Sequence, residues 1–149
     1  VHEDLAEIEF GPAQDLTTAE LEKMGYIFPW AIGPDGRSQA PEGAESFEEL
    51  IARGARLLDS LRPLTGRTAC ITHGGFTRAL LAAVFHTPLD TFWNIHVPNV
   101  SSQVLTCDGR DFRLEALGLA PEEVMGRCLD PSLIGVDTTS ASELEEGRA

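Results

Sequence analysis

The chain has 149 residues and a formal net charge of −13. This length allows one domain with its own core, and the acidity argues against binding to nucleic acid or to an anionic membrane surface. No apolar run is long enough to span a membrane. The three cysteines show no Cys-x-x-Cys spacing, which indicates free thiols in a reducing cytosol and predicts a cytoplasmic protein.

The first segments of the chain read as a short extended piece, a short helix and a long loop. Residues 5–10 are the extended piece. Thr17-x-x-Glu20 is a capping box that predicts a helix ending near Gly25. Residues 26–44 hold several prolines and glycines and predict a loop, which either covers a site as a lid or is a solvated connection.

A second capping box begins the middle of the chain. Ser46-x-x-Glu49 predicts a helix that Pro63 terminates. Residues 68–72 form an apolar, partly β-branched run that predicts a buried strand. Residues 76–85 carry apolar residues at helical spacing, which predicts a helix.

The last predicted elements are a connection, a hairpin and a tail. Residues 88–97 contain one helical turn, and two strands over residues 101–106 and 112–117 meet through an Asp-Gly turn. The apolar residues of the segment 121–149 show no regular spacing, which predicts an irregular acidic tail that is partly disordered.

A histidine stands where the central strand meets its helix. His73 is followed by Gly74 and Gly75, which let the backbone come close to a ligand. The free N–H groups of the following helix favour an anion, so the turn is typical of a phosphate site. A core histidine that caps the helix is the alternative interpretation of His73.

Four motifs in this order resemble those of the histidine phosphatase superfamily, the phosphoglycerate-mutase-like proteins. They are a Leu-x-Glu-x-x-x-Gly segment at residues 5–11, a Gly-Glu-Ser-like stretch at residues 41–46, the Thr-His-Gly turn at His73, and Pro98-Asn99 before the first hairpin strand. The resemblance implies an α/β fold, a three-layer α/β/α sandwich that is incomplete in this chain. It assigns residues 4–120 to the C-terminal part of such a domain.

The first histidine motif of that family, Arg-His-Gly, does not occur here, because none of the four histidines follows an arginine. The Ser-x-x-x-Arg-Ala motif that carries a second phosphate-binding arginine is also absent from the sequence. The chain therefore resembles the C-terminal half of a histidine phosphatase, through truncation, processing or evolutionary loss.

The resemblance implies that the complete parent protein hydrolyses phosphate monoesters through a phosphohistidine. His73 would donate a hydrogen bond to the phosphoryl oxygens. Glu7 would protonate the leaving oxygen and then deprotonate water. Glu9 is the alternative residue for this role, and an edge-strand carboxylate without a catalytic role is the alternative interpretation of Glu7. Gly74, Gly75 and Asn99 would bind the phosphate, although Asn99 also suits a plain turn.

The short segment between Gly25 and Ala44 favours a phosphatase over a mutase. The rival hypothesis is a catalytically inactive half-domain that binds a phosphorylated ligand or a partner protein. The His-Gly-Gly sequence is also similar to an α/β-hydrolase oxyanion loop, but that fold needs a Gly-x-Ser-x-Gly elbow, which residues 36–40 only approach.

The predicted partner is a phosphorylated small-molecule substrate, with no cofactor. We assign no metal site, since His86 and His96 have no carboxylate or cysteine at ligand spacing. The apolar strand over residues 68–72 would lack its neighbour in this chain. Self-association through that edge, or complementation by an N-terminal segment, is the expected consequence.

Overall fold

The computed structural model describes residues 2–129. Its helices are α1 (Thr18–Lys23), α2 (Phe47–Leu61), α3 (Gly74–Phe85) and α4 (Pro121–Leu129), and 3₁₀ turns lie at Glu3–Leu5, Gly11–Ala13 and Phe92–Asn94. Strands β1 (Ser102–Cys107) and β2 (Phe112–Leu119) form a two-stranded antiparallel sheet. The chain divides into two compact units between Val97 and Pro98. No helix within residues 2–129 is long and apolar enough to cross a membrane.

Capping boxes begin α1 and α2, as the sequence predicts. The Thr17 hydroxyl accepts a hydrogen bond from the Glu20 N–H, and the Glu20 carboxylate accepts one from the Thr17 N–H at 2.9 Å. Ser46 and Glu49 make the same reciprocal pair. Hydrogen bonds from Ser46 hold the pKa of the Glu49 carboxyl below its usual value. These contacts lie within four residues, which is why the sequence predicts both helix starts.

Packing of α2 on α3 forms the core of the first unit. The apolar stripe of α2 and the buried face of α3 meet there, and the largest fully buried side chains they contribute are Phe47, Leu50, Leu57, Phe76 and Leu81. At Gly54 the backbone of α2 closely approaches the backbone of α3. A Cβ at this position would lie 3.1 Å from the Cα of Leu80.

The loop over residues 26–44 contributes to the core as well. It contains no helix or strand, as predicted, apart from one isolated bridge between Ile32 and Ser38. Trp30 is 2% exposed and packs edge-on against Phe10 and Phe28. The beginning of this loop is therefore packed and not merely a solvated connection.

The predicted strand over residues 68–72 does not form. The backbone of residues 65–72 makes no hydrogen bond to any described residue, and Ile71 is 92% exposed. A strand exists only through a hydrogen-bond ladder to a neighbour, and no described segment pairs with this one. The extended segment over residues 5–10 likewise joins no sheet, since it is irregular after the first 3₁₀ turn.

The second unit contains the hairpin and one helix that was not predicted. The β1–β2 hairpin confirms the prediction, with Cys107 opposite Phe112 beside the turn. The prediction of irregular structure from residue 121 is wrong for its first residues, because α4 occupies Pro121–Leu129. Proline at the first helical position and Glu123, whose carboxylate accepts the Ala120 N–H at 2.7 Å, are start signals that outweigh the weak periodicity. The rest of the predicted tail lies outside the described residues.

Substituting Gly54 by alanine tests the close approach of α2 to α3. The new methyl group would lie 3.1 Å and 3.2 Å from two backbone atoms of Leu80, which cannot move without shifting the helix. We expect the free energy of unfolding to fall by about 1–3 kcal/mol, although alanine favours helix. Urea denaturation measures this change.

Gly126→Ala in α4 is the matched control, because nothing lies within 4 Å of the new methyl group. It should leave stability unchanged or raise it by up to about 1 kcal/mol. If both variants behaved alike, Gly54 would not be a point of close packing.

Candidate functional site

The carboxylate of Glu7 caps the N-terminus of α3. Its Oε2 accepts a hydrogen bond from the Gly75 N–H at 3.1 Å, and its Oε1 accepts from the N–H groups of Phe76 at 2.9 Å and Ile8 at 3.0 Å. The carboxylate therefore satisfies two donors of the first helical turn and lies at the positive end of the helix dipole. The structure thus brings together the predicted acid–base residue and the predicted phosphate turn.

Gly75 leaves room for this carboxylate. A Cβ at Gly75 would lie 2.4 Å from Oε1 of Glu7, so a side chain at this position would displace the carboxylate. The turn does accept an anion, but in this structure the anion is a side chain of the same chain. The role of Gly75 as a phosphate donor stays a prediction, and it requires its N–H to be shared with or released by Glu7.

His73 is the N-cap residue of α3 and is exposed. Its backbone carbonyl accepts hydrogen bonds from the N–H and hydroxyl of Thr77, at 2.9 Å and 2.8 Å. Its imidazole makes no hydrogen bond with any described residue, so it neither caps the helix nor belongs to the core. The N–H of Gly74 also has no acceptor among those residues. The imidazole of His73 and the N–H of Gly74, both at the start of the helix that Glu7 caps, therefore have no hydrogen-bond partner within residues 2–129.

Arg53 of α2 holds the segment that carries Glu7. Its Nε and Nη2 donate to the two carboxylate oxygens of Glu45 at 2.8 Å and 2.7 Å. Its Nη1 donates to the carbonyls of Asp4 at 2.9 Å and Ala6 at 2.7 Å, and its Nη2 donates to the carbonyl of Glu7 at 3.2 Å. Sequence reasoning missed this residue. The available signal was an arginine three residues after Leu50, on the apolar stripe of α2.

Glu45 ties the same segment to the aromatic part of the core. Its N–H donates to the Glu9 carbonyl at 2.7 Å, and its carboxylate accepts the Glu9 N–H at 3.2 Å. Its own carbonyl accepts the indole N–H of Trp30 at 3.1 Å. The Gly-Glu-Ser-like stretch therefore also holds the Glu7 segment in place. The Glu9 side chain is exposed and takes no part in the helix cap.

Two further hydrogen bonds stabilise the glycine turn and the residue before it. The Thr72 hydroxyl donates to the Leu5 carbonyl at 2.6 Å. Arg78 donates through Nη1 to the Gly74 carbonyl at 2.9 Å and lies over the Trp93 ring. The guanidinium of Arg78 is thus a scaffold group that donates to the backbone carbonyls of Gly74 and Ile95.

Asn99, the remaining predicted phosphate ligand, belongs to the second unit. It is exposed in the turn before β1, and its place in the site stays a prediction. Among the described residues, no group of three or more histidine, cysteine, aspartate or glutamate side chains could hold a metal ion.

Comparison with known proteins supports what the motifs and the geometry indicate. A family model described as the histidine phosphatase superfamily (branch 1) matches residues 1–120. The chain belongs to this superfamily. A search of the curated proteins found no match. Helices combined with an antiparallel sheet are consistent with the α/β fold of histidine phosphatases, and membership suggests phosphatase- or mutase-type chemistry.

Gly75→Ala should displace Glu7 from α3, because the new methyl group would overlap a carboxylate at the end of a flexible side chain. The Phe76 N–H then loses a charge-assisted hydrogen bond, and its amide proton resonance should move upfield in NMR spectra. Gly74→Ala is the matched control, since its methyl group meets only Nη1 of Arg78 at 3.2 Å.

Gly75→Ala should also be less stable than Gly74→Ala by about 1 kcal/mol, the usual value of an N-terminal cap. Equal stability and the same Phe76 resonance in both variants would contradict the role assigned to Glu7.

Proposed function

We propose that the complete protein hydrolyses phosphate monoesters through a phosphohistidine, and that this chain supplies the second histidine and the acid–base carboxylate. Family membership supports this class of chemistry. The observation that carries the proposal is the meeting of Glu7, the unengaged Gly74 N–H and the open imidazole of His73 at the start of α3.

In this proposal the phosphoryl oxygens accept hydrogen bonds from His73 and from the Gly74 N–H. The positive end of the α3 dipole stabilises their charge. A nucleophilic histidine outside the motifs of this chain forms the N–P bond while the bond to the leaving oxygen breaks. Glu7 donates the proton that this oxygen gains. Water then attacks the phosphorus of the phosphohistidine, the N–P bond breaks with its electron pair returning to the imidazole, and Glu7 takes the proton that the water loses as phosphate is released.

Hydrolysis is favoured over mutase chemistry because the segment between Gly25 and Ala44 is short, and burial of Trp30 anchors the beginning of its loop in the core. The substrate we propose is a phosphorylated small molecule. The rival proposal uses the same open groups without a nucleophile, so that the chain binds a phosphorylated ligand or a partner protein and catalyses nothing.

We expect residues 1–149 alone to show only background turnover of p-nitrophenyl phosphate. A carboxylate and two hydrogen-bond donors cannot replace the nucleophile that makes the covalent intermediate. In the complete gene product, Glu7→Gln should lower kcat by about 10²- to 10⁴-fold, the usual value of general acid–base catalysis.

Two results separate the alternatives. A complete gene product without phosphatase activity, whose His73 and Gly74 amide resonances still respond to inorganic phosphate, would support the binding-only proposal. Turnover by residues 1–149 that disappears in His73→Ala would mean that His73 is itself the nucleophile, and would refute the assignment made here.

We further propose that residues 68–72 pair with another strand, and that in the isolated chain this strand comes from a second copy. Their backbone makes no hydrogen bond to the described residues, and Ile71 is almost fully exposed. Unpaired backbone beside apolar side chains is a template for strand addition. In the complete protein, an N-terminal strand would take this place in a three-layer α/β/α sandwich.

Sedimentation velocity of residues 1–149 should show dimers or larger species. Ile71→Lys should restore the monomer, because a lysine on a strand edge opposes pairing. Met125→Lys is the control, since Met125 is 67% exposed but lies in α4. A compact wild-type monomer with a cooperative melt would exclude this edge as an association site.

A further inference from the structure

The segment that carries Glu7 has no secondary structure of its own to hold it in place. Residues 7–10 belong to neither a helix nor a strand. Their position therefore depends on bonds from side chains elsewhere in the fold. Arg53 donates to the carbonyl of Glu7 and, just before it, to the carbonyls of Asp4 and Ala6, while Glu45 bonds the backbone of Glu9.

Arg53 also contacts the other partner of the Glu7 cap. Its guanidinium carbon lies 4.8 Å from the centroid of the Phe76 ring, and the Phe76 N–H donates to Oε1 of Glu7. One guanidinium therefore touches both the backbone of the capping residue and the helical turn that is capped. Its charge is balanced by Glu45, and the two side chains are only 11% and 13% exposed.

We propose that Arg53, oriented by Glu45, is the positioning residue that holds the Glu7 carboxylate at the start of α3. This inference deepens the proposed function and rests on it, since it makes Arg53 a determinant of where the acid–base group of that site lies. Arg53 touches no reacting atom and acts only through Glu7.

The hydrogen bonds of Arg53 require a planar guanidinium group with several donor nitrogens. Arg53 uses its Nε and both terminal nitrogens to bind one carboxylate bidentately and three carbonyls besides. A lysine ammonium has three donors on a single atom and cannot span these acceptors. Arg53→Lys therefore keeps the positive charge but releases the Glu7 segment.

The first test is made on residues 1–149 and needs no activity. In Arg53→Lys the Phe76 amide resonance should move upfield, and its hydrogen exchange should accelerate by about 10-fold or more. Arg56→Lys is the matched control, because Arg56 lies on the same helix, is 61% exposed and bonds only the Asp4 carboxylate. An unchanged Phe76 amide in a folded Arg53→Lys variant would overturn the proposal.

Circular dichroism establishes whether Arg53→Lys is folded. If it is not, Glu45→Gln provides the same comparison, because a glutamine has only one acceptor oxygen for the two Arg53 donors. The Phe76 amide should shift in the same direction in Glu45→Gln. An unchanged Phe76 amide resonance in Glu45→Gln would also overturn the proposal.

The second test uses the complete gene product. Arg53→Lys should lower kcat by about 10- to 100-fold with KM changed less than about threefold, since misplacing an acid–base group affects the chemical step. In a Glu7→Gln background the same substitution should have almost no further effect on kcat. Additive losses would show that Arg53 acts other than through Glu7.

The two tests separate this inference from the proposed function. Absence of phosphatase activity in the complete gene product would refute the proposed function, whereas the Phe76 amide in Arg53→Lys reports on positioning whatever the activity.

Discussion

The part-buried ion pair between Arg53 and Glu45 is the interaction on which the candidate site depends. Removing two charges from water is costly unless the pair is well aligned and its remaining donors are satisfied. Here the pair is bidentate, and the remaining Arg53 donors go to backbone carbonyls of the Glu7 segment. The same bonds that compensate this charge therefore hold that segment against α2, and they act together with the bonds of the Glu7 carboxylate to α3.

The start of α3 shows how one feature serves both structure and chemistry. A helix N-terminus attracts an anion, and in this structure the anion is the Glu7 carboxylate, which leaves the Gly74 N–H and the His73 imidazole open. Under the proposed function, a phosphoryl group bound there would lie beside the carboxylate that exchanges protons with the leaving oxygen and with water. The cap would then keep that carboxylate close to the anion site.

The segment before His73 shows the opposite situation. Its apolar, β-branched composition suits a buried strand, yet its backbone has no hydrogen-bond partner within residues 2–129 and Ile71 is 92% exposed. Exposing apolar surface to water costs about 25 cal/mol per Å². The loop around Trp30 behaves differently. Its composition predicts a loop, but the Trp30 side chain is buried in the core.

The sequence by itself determined the features whose causes lie within a few residues: both capping boxes, the helices they begin, the glycine turn at His73 and the β1–β2 hairpin. It also indicated Glu7 and His73, through motifs shared with a family. Only the tertiary structure decided that Arg53 binds the Glu7 segment, that Glu7 caps α3 and that residues 68–72 have no partner strand among the described residues. Arg53 and the carbonyls it binds are 46 to 49 residues apart, and Glu7 and Gly75 are 68 apart. Such contacts depend on how whole elements pack, and local propensity carries no information about that.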